Sequence, residues 1–183
     1  MLEIVVPEAS LFDNSTSEFI NIKEQKLQLE HSLISIAKWE SKWKKPYLEN
    51  KQQTMEEFQD YVKCMTITQK VDPNVYRCIT ADNYRAIVDY MEDSMTATWF
   101  PNRDNGKRPG KKEVLTAEVI YYLMSSYGIP YEPCQKWHFN RLMTLIRVCE
   151  AKETPPKKMG RREALAQQQA LNAMRRRQYH SKG

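Results

Sequence analysis

Short apolar runs separated by polar turns fill the N-terminal part of the chain, which is the pattern of an antiparallel β-sheet. Runs of aliphatic and β-branched residues predict strands at residues 2–6, 19–22 and 26–30, and Pro7 ends the first of them. A sheet of this size is not stable on its own in water. We therefore expect it to pack against helices.

At Ser32 the period of the apolar residues changes from two to helical spacing, which marks the transition from strand to helix. Thr54 and Glu57 form a capping-box pattern, Thr80 is a typical N-cap residue, and Gly128 is placed to end a helix in the left-handed conformation. These signals predict helices from residue 32 to before residue 46, at 55–66, in a short turn within 72–79, at 81–91 and at 113–127.

The strongest helical signal lies at residues 131–150, and we predict that this segment is the central helix of the protein. Pro133 suits a first-turn position, and prolines at 155 and 156 stop any continuation. The apolar residues at helical spacing are Cys134, Trp137, Leu142, Leu145, Ile146 and Cys149. In the helix at 81–91, the residues predicted to face inward are Tyr84, Ile87, Val88 and Met91.

These elements predict an α+β protein that is mainly α. We expect a helical bundle around the central helix, which lies in the C-terminal half, with a small antiparallel sheet at the N-terminus. The predicted globular domain covers residues 1–154, of which 1–31 are rich in β-structure and 32–154 are helical. Residues 155–183 are predicted to form a projecting basic tail helix. Its apolar stripe is thin, so we expect it to become ordered on a partner or to pack loosely on the body.

Two connecting segments give weaker signals. Residues 95–101 are apolar and extended in character, which fits either a strand or a packed loop. Residues 102–112 are polar, basic and interrupted by Gly and Pro, which is typical of an exposed mobile loop. Their glycines match neither common phosphate-binding pattern.

The positive charge of the chain is concentrated at its C-terminus. Residues 155–183 contain eight Lys and Arg against Glu163, a net charge of +7, which leaves −2 of the total of +5 for residues 1–154. Such a basic segment can bind phosphates of nucleic acid or dock on an acidic protein. Because no base-reading motif accompanies it, we rank protein docking above nucleic-acid recognition.

No motif in the sequence indicates catalysis, and we expect a protein without enzymatic activity, cofactor or metal. There is no nucleophile elbow, no H-E-x-x-H and no cysteine with an evident histidine partner. The four cysteines lack a C-x-x-C pair, so free thiols are expected rather than disulfides or a zinc site. No apolar run reaches about 20 residues and no signal-peptide pattern begins the chain, so we expect a cytosolic protein.

Aromatic residues are more numerous than a small core needs, with four Trp and ten Tyr among 183 residues. Core packing accounts for most of them, but Trp and Tyr also anchor protein interfaces. Our candidates for an apolar partner-binding surface are Trp39, Trp43, Trp137 and Phe139. For docking through the tail, the candidates are Arg175, Arg176 and Arg177.

Several stretches, taken together, resemble one family almost from end to end of the chain. They are LEIVVPE at residues 2–8, KLQLEHSLISIAKWESKWKKP at 26–46, YVKCMT at 61–66, VDPNVY at 71–76, MTATWF at 95–100, CQKWHFNRLMTLIRVC at 134–149, and PPKKM at 155–159 followed by ALNAMRRR. The chain is similar in these stretches to the tail assembly chaperones of long-tailed, siphovirus-like bacteriophages.

This resemblance implies a non-enzymatic role in the morphogenesis of phage tails. Such chaperones bind the tape-measure protein, keep its long hydrophobic helices soluble and help to recruit major tail-tube subunits. The resemblance places the protein in the host cytoplasm and outside the mature virion, and self-association is possible. Capture of a helix in an apolar groove is the mode of binding we expect. The alternatives are a structural head–tail adaptor or minor tail protein that stays in the virion, and, third, a nucleic-acid-binding protein that uses the basic tail.

Overall fold

The computed structural model describes residues 1–13, 17–50, 53–98, 100, 114–153, 165, 168, 169 and 172. The chain divides into two compact units, Met1–Cys149 and Glu150–Gly183. The first contains all the strands and nearly all the helices that are described below. In the second, the described residues beyond the last helix are Leu165, Gln168, Gln169 and Asn172, all helical and exposed. The predicted arginine cluster and the predicted loop at 102–112 lie outside the described residues.

The N-terminal part forms two antiparallel two-stranded sheets. The strands are β1 (Leu2–Val6), β2 (Ala9–Asp13), β3 (Glu18–Ile22) and β4 (Gln25–Leu29). β1 pairs with β4 and β2 pairs with β3, so the β2–β3 hairpin lies in the connection between β1 and β4. The three predicted strands are confirmed, whereas β2 was not predicted.

The helices that follow make the protein α+β and mainly α, as the sequence predicts. They are α1 (Leu33–Trp43), α2 (Met55–Met65), a 3-10 helix (Val75–Cys78), α3 (Ala81–Glu92), α4 (Ala117–Ser126), α5 (Tyr131–Cys134) and α6 (Phe139–Glu153). The described residues of the segment 95–101, namely 95–98 and 100, are in neither a helix nor a strand. Gly128 follows α4 with a φ of +65°, as its predicted role requires.

The predicted starts of α1, α2 and α3 are confirmed by their caps, whereas α4 begins later than the predicted residue 113, since residues 114–116 are not helical. The Ser32 hydroxyl accepts a hydrogen bond from the Ser35 N–H at the start of α1. At the start of α2, the Thr54 hydroxyl accepts from the Glu57 N–H while the Glu57 carboxylate accepts from the Thr54 N–H, at 3.2 and 2.9 Å. Thr80 caps α3 in the same way as Ser32 caps α1. These local hydrogen bonds determine where each of the three helices begins.

The prediction of one continuous central helix at residues 131–150 is wrong. The chain forms α5, leaves helical geometry, and begins again as α6 at Phe139. The break arises because this segment pairs with the start of α1: Ser32 and His138 form a β-bridge, and the Phe139 N–H donates to the His31 carbonyl at 2.7 Å. The His138 ring then accepts from the Asn140 N–H, so that His138 caps α6.

The core of the first unit lies where the β1–β4 sheet meets the helices. Leu27, Leu33, Ile36, Tyr61 and Leu142 are fully buried there. One buried carboxylate, that of Glu40 on α1, joins two other segments, because its two oxygens accept from the backbone N–H groups of residues 47 and 117 at 2.8 Å each. The second of these N–H groups lies at the start of α4, where a carboxylate is favourable.

Candidate functional site

An apolar groove between α2 and α3 is the clearest candidate for a binding site in the described part of the chain. α2 packs mainly against α1 and the 3-10 helix, whereas α3 packs mainly against β1. The space left between α2 and α3 has a volume of about 550 Å³, within the range that is typical of ligand pockets. We call this space the α2/α3 groove. The residues that line it are Met55, Phe58, Gln59, Ile79, Thr80, Ala81, Tyr84, Arg85, Val88 and Asp89.

The apolar lining of the groove comes from both helices. The rings of Phe58 on α2 and Tyr84 on α3 meet with their centroids 4.5 Å apart. Phe58 is 7% exposed, so it forms the floor, while Tyr84 at 42% and Met55 at 62% stand open to solvent. Val88, half-buried, continues the apolar lining one turn beyond Tyr84. The groove therefore offers apolar side chains along more than one helical turn.

Hydrogen bonds from α3 to its neighbours hold one wall of the groove in place. The Asn83 side-chain amide donates to the Val5 carbonyl of β1 at 3.0 Å, near the start of α3. Near its end, the Tyr90 hydroxyl donates to the Glu30 carboxylate at 2.7 Å. α3 is therefore attached near both ends through Asn83 and Tyr90, neither of which lines the groove, whereas Tyr84 and Val88 do line it.

Two of the four predicted surface aromatics belong to the core, and this part of the prediction is corrected. Trp39 has no exposed surface, and its indole N–H donates to the Glu57 carbonyl at 3.0 Å. Phe139 is 6% exposed and packs edge-on against the buried His31 ring. Both occupy the buried face of their helix, so neither is available to a partner in this fold.

The other two predicted aromatics are half-buried and already engaged. Trp43 stacks on Trp39, with ring centroids 6.0 Å apart, and its indole N–H donates to the Asp60 carboxylate at 2.9 Å. Trp137 lies under the Arg141 guanidinium at 4.5 Å from the ring centroid. Neither residue lines the α2/α3 groove. The four predicted aromatics thus do not form one surface, and a role of the exposed parts of Trp43 and Trp137 in binding stays a prediction.

The sequence analysis missed the groove because the residues concerned were assigned to the core. Tyr84 was predicted to face inward with Ile87, but Ile87 is fully buried while Tyr84 is exposed. Met55 was taken only as the first residue of a helix. The sequence signal that could have indicated the groove is the width of the apolar stripe on α3, which is wider than one neighbouring element can cover. The stripe consists of Tyr84, Ile87, Val88, Tyr90 and Met91.

A buried cluster of polar side chains around His31 has a structural role. The His31 ring nitrogen Nδ1 lies 2.5 Å from the Tyr61 hydroxyl, and the His138 ring packs edge-on to that of His31 with centroids 5.3 Å apart. Burial, and after it the neighbouring His138, lower the pKa of His31 to about 3. Burial also lowers the pKa of His138. Both rings are at most 6% exposed, so a substrate has no access to them.

Metal and thiol chemistry find no support in the part of the chain that the structure describes. Within it, no group of three or more His, Cys, Asp or Glu side chains is arranged to hold a metal ion. The four cysteines are free, and burial raises the pKa of Cys64 to about 11, which disfavours the reactive thiolate. Among the described helices, none has the length and apolar composition required to cross a bilayer.

Comparisons of the chain with protein-family models, with curated protein sequences and with solved structures gave no match.

Proposed function

We propose that this protein is a non-enzymatic tail assembly chaperone of a long-tailed bacteriophage and that it binds the tape-measure protein through the α2/α3 groove. The observation that carries the proposal is the groove itself, an exposed apolar cleft between two helices. A tape measure consists of long hydrophobic helices, and an amphipathic helix placed between α2 and α3 would bury Met55 and Tyr84 together with its own apolar side chains. The resemblance of the chain to tail assembly chaperones supports the same partner.

The proposal extends to the rest of the assembly role. Recruitment of major tail-tube subunits would use a second surface, for which the basic segment at residues 155–183 is the candidate because its net charge of +7 suits an acidic partner. The protein would act in the host cytoplasm and leave before the virion is complete.

Co-expression with the tape-measure protein of the same phage tests the proposal directly. We expect the tape measure to become soluble only when this protein is present and to co-purify with it. Tyr84→Lys and Met55→Lys place a charge in the groove and should abolish co-purification. Tyr122→Lys is the matched control, because Tyr122 is 70% exposed on α4 and does not line the groove. A tape measure that stays insoluble, or that binds the Tyr84→Lys variant as well as the wild type, contradicts the proposal.

Mass spectrometry of purified virions separates the chaperone from the structural alternative. A chaperone is absent from the particle, whereas a head–tail adaptor or minor tail protein is present in a fixed small number. A nucleic-acid-binding protein would instead show affinity that falls steeply with salt and is lost on deletion of residues 155–183.

A further inference from the structure

The rim of the α2/α3 groove has different charge at its two ends. At one end lies Ala81, at the N-terminus of α3, where the helix dipole is positive. Arg85 follows one turn later, and the carboxylate of Asp82 partly offsets its charge at a distance of 3.3 Å. At the other end lies Asp89, and Glu92 follows it on the same side of the helix. The groove therefore becomes acidic toward the C-terminus of α3.

The acidic end is unfavourable for α3 by itself. Asp89 and Glu92 lie in the last turn, where the helix dipole is negative, and this turn contains no basic residue. The residue after the helix, Asp93, is also acidic. The Asn140 side-chain amide donates to the carbonyls of Met91 and of Asp93, and the His138 ring, whose Nδ1 accepts from the Asn140 N–H, donates through Nε2 to the Tyr90 carbonyl. These donors are neutral and supply no positive charge to the end of α3.

Asp89 and Glu92 have no ion-pair partner among the described residues, in contrast to two of the acidic side chains on α2. There, Asp60 is paired with Lys42 and Glu57 with Lys45. Both carboxylates at the end of α3 are exposed, so they can be reached by a molecule bound in the groove. A cation placed beside them would interact favourably with two carboxylates and with the negative end of the helix at once.

We propose that the α2/α3 groove selects an amphipathic helix that carries Lys or Arg at the end lying beside Asp89 and Glu92. This inference rests on the proposed function, because it names the chemistry of the tape-measure segment that the groove would take. The apolar face of that helix contacts Phe58, Tyr84 and Val88, while its basic side chains pair with the two carboxylates. The apolar contacts supply affinity, and the charges fix the choice of segment and its orientation.

Two synthetic helical peptides test this selection on the full-length protein. Both are about 18 residues long and share the same leucine stripe, but one carries Lys and the other Glu beside the stripe. Binding is measured by fluorescence anisotropy at low and at high salt. For two rim ion pairs we expect the Lys peptide to bind about tenfold more tightly than the Glu peptide at low salt, with a smaller difference at high salt.

The charge-neutralised double variant Asp89→Asn/Glu92→Gln should bind both peptides with similar affinity. The matched control is Glu8→Gln/Glu24→Gln, which removes two exposed carboxylates in the connections between the strands and should keep the preference. Circular dichroism checks that each double variant retains the helix content of the wild type.

Equal affinity for the two peptides, or a preference that survives in Asp89→Asn/Glu92→Gln, overturns the inference. The same holds if neither peptide binds. The proposed function is tested separately, by the co-expression experiment. If the tape measure co-purifies but the peptides show no charge preference, the chaperone role stands and only the selection by charge is refuted.

Discussion

The buried ring of His31 predicts that the protein loses stability between neutral and mildly acidic pH. Burial and the neighbouring His138 lower the pKa of His31 from 6.5 to about 3, so that the folded protein holds this ring neutral while the unfolded chain protonates it. The stabilisation is fully present at pH values above 6.5, the pKa of His31 in the unfolded chain. It is lost progressively as the pH falls from there toward the pKa of about 3 in the folded protein.

The magnitude follows from the two pKa values. At about pH 7.5 His31 is neutral in both states and contributes almost nothing to the pH dependence. At about pH 5 the unfolded chain binds the proton and the folded protein does not, which lowers the free energy of unfolding by about 2 kcal/mol. The limit, reached only below both pKa values, is about 5 kcal/mol. His138, whose pKa is lowered as well, adds to the loss in the same direction.

Urea unfolding at these two pH values, followed by circular dichroism, measures the loss. His31→Asn keeps a side-chain oxygen for the Tyr61 hydroxyl but has no group that titrates in this range, so its loss between the two pH values should be smaller than that of the wild type by about 2 kcal/mol. His180→Asn is the control, since His180 lies outside the described residues and in the basic C-terminal segment. If His31→Asn and the wild type lose the same stability, or if NMR titration finds a pKa of His31 near 6.5 in the folded protein, the reasoning is refuted.

Three substitutions test the contacts that hold the helices in place, each by urea unfolding at neutral pH. Glu40→Gln leaves one of two buried N–H groups without its acceptor and should lower the free energy of unfolding by about 1–3 kcal/mol, whereas Glu118→Gln on the exposed face of α4 should change it little. Thr54→Ala removes the capping box of α2 and should cost about 1 kcal/mol; no change would show that the cap is dispensable. Trp39→Ala empties a fully buried site and should cost about 3–5 kcal/mol, against less than about 0.5 kcal/mol for Tyr122→Ala.

The parts of the fold that could be predicted from the sequence depend on local interactions. The caps at Thr54 and Thr80 form hydrogen bonds with residues three positions along the chain, so the local sequence is enough to predict the starts of α2 and α3. The break between α5 and α6 depends on the pairing of His138 with Ser32, which are far apart in sequence. No periodicity within residues 131–150 reports such a contact.

The missed strand β2 has a similar cause. Its sequence, ASLFD, has only two large apolar residues and lacks β-branched ones, so its own preference for strand is weak. It becomes a strand because β3 pairs with it, with Leu11 opposite Ile20 and Phe12 opposite Phe19. The phenylalanine rings contact each other at a centroid distance of 5.1 Å and stabilise the pairing across the strands.

To predict the candidate site, one must also know which residues of an apolar stripe are covered by other elements. Periodicity alone does not give this information. On α3, Ile87 and Tyr90 are buried against the body, whereas Tyr84 and Val88 point toward the space beside α2. A stripe this wide stabilises the monomer only through its covered half. Leaving the other half in water carries a cost that a bound apolar helix would remove. The exposed apolar side chains of α3, together with Met55 of α2, are therefore the surface that the proposed partner helix would cover.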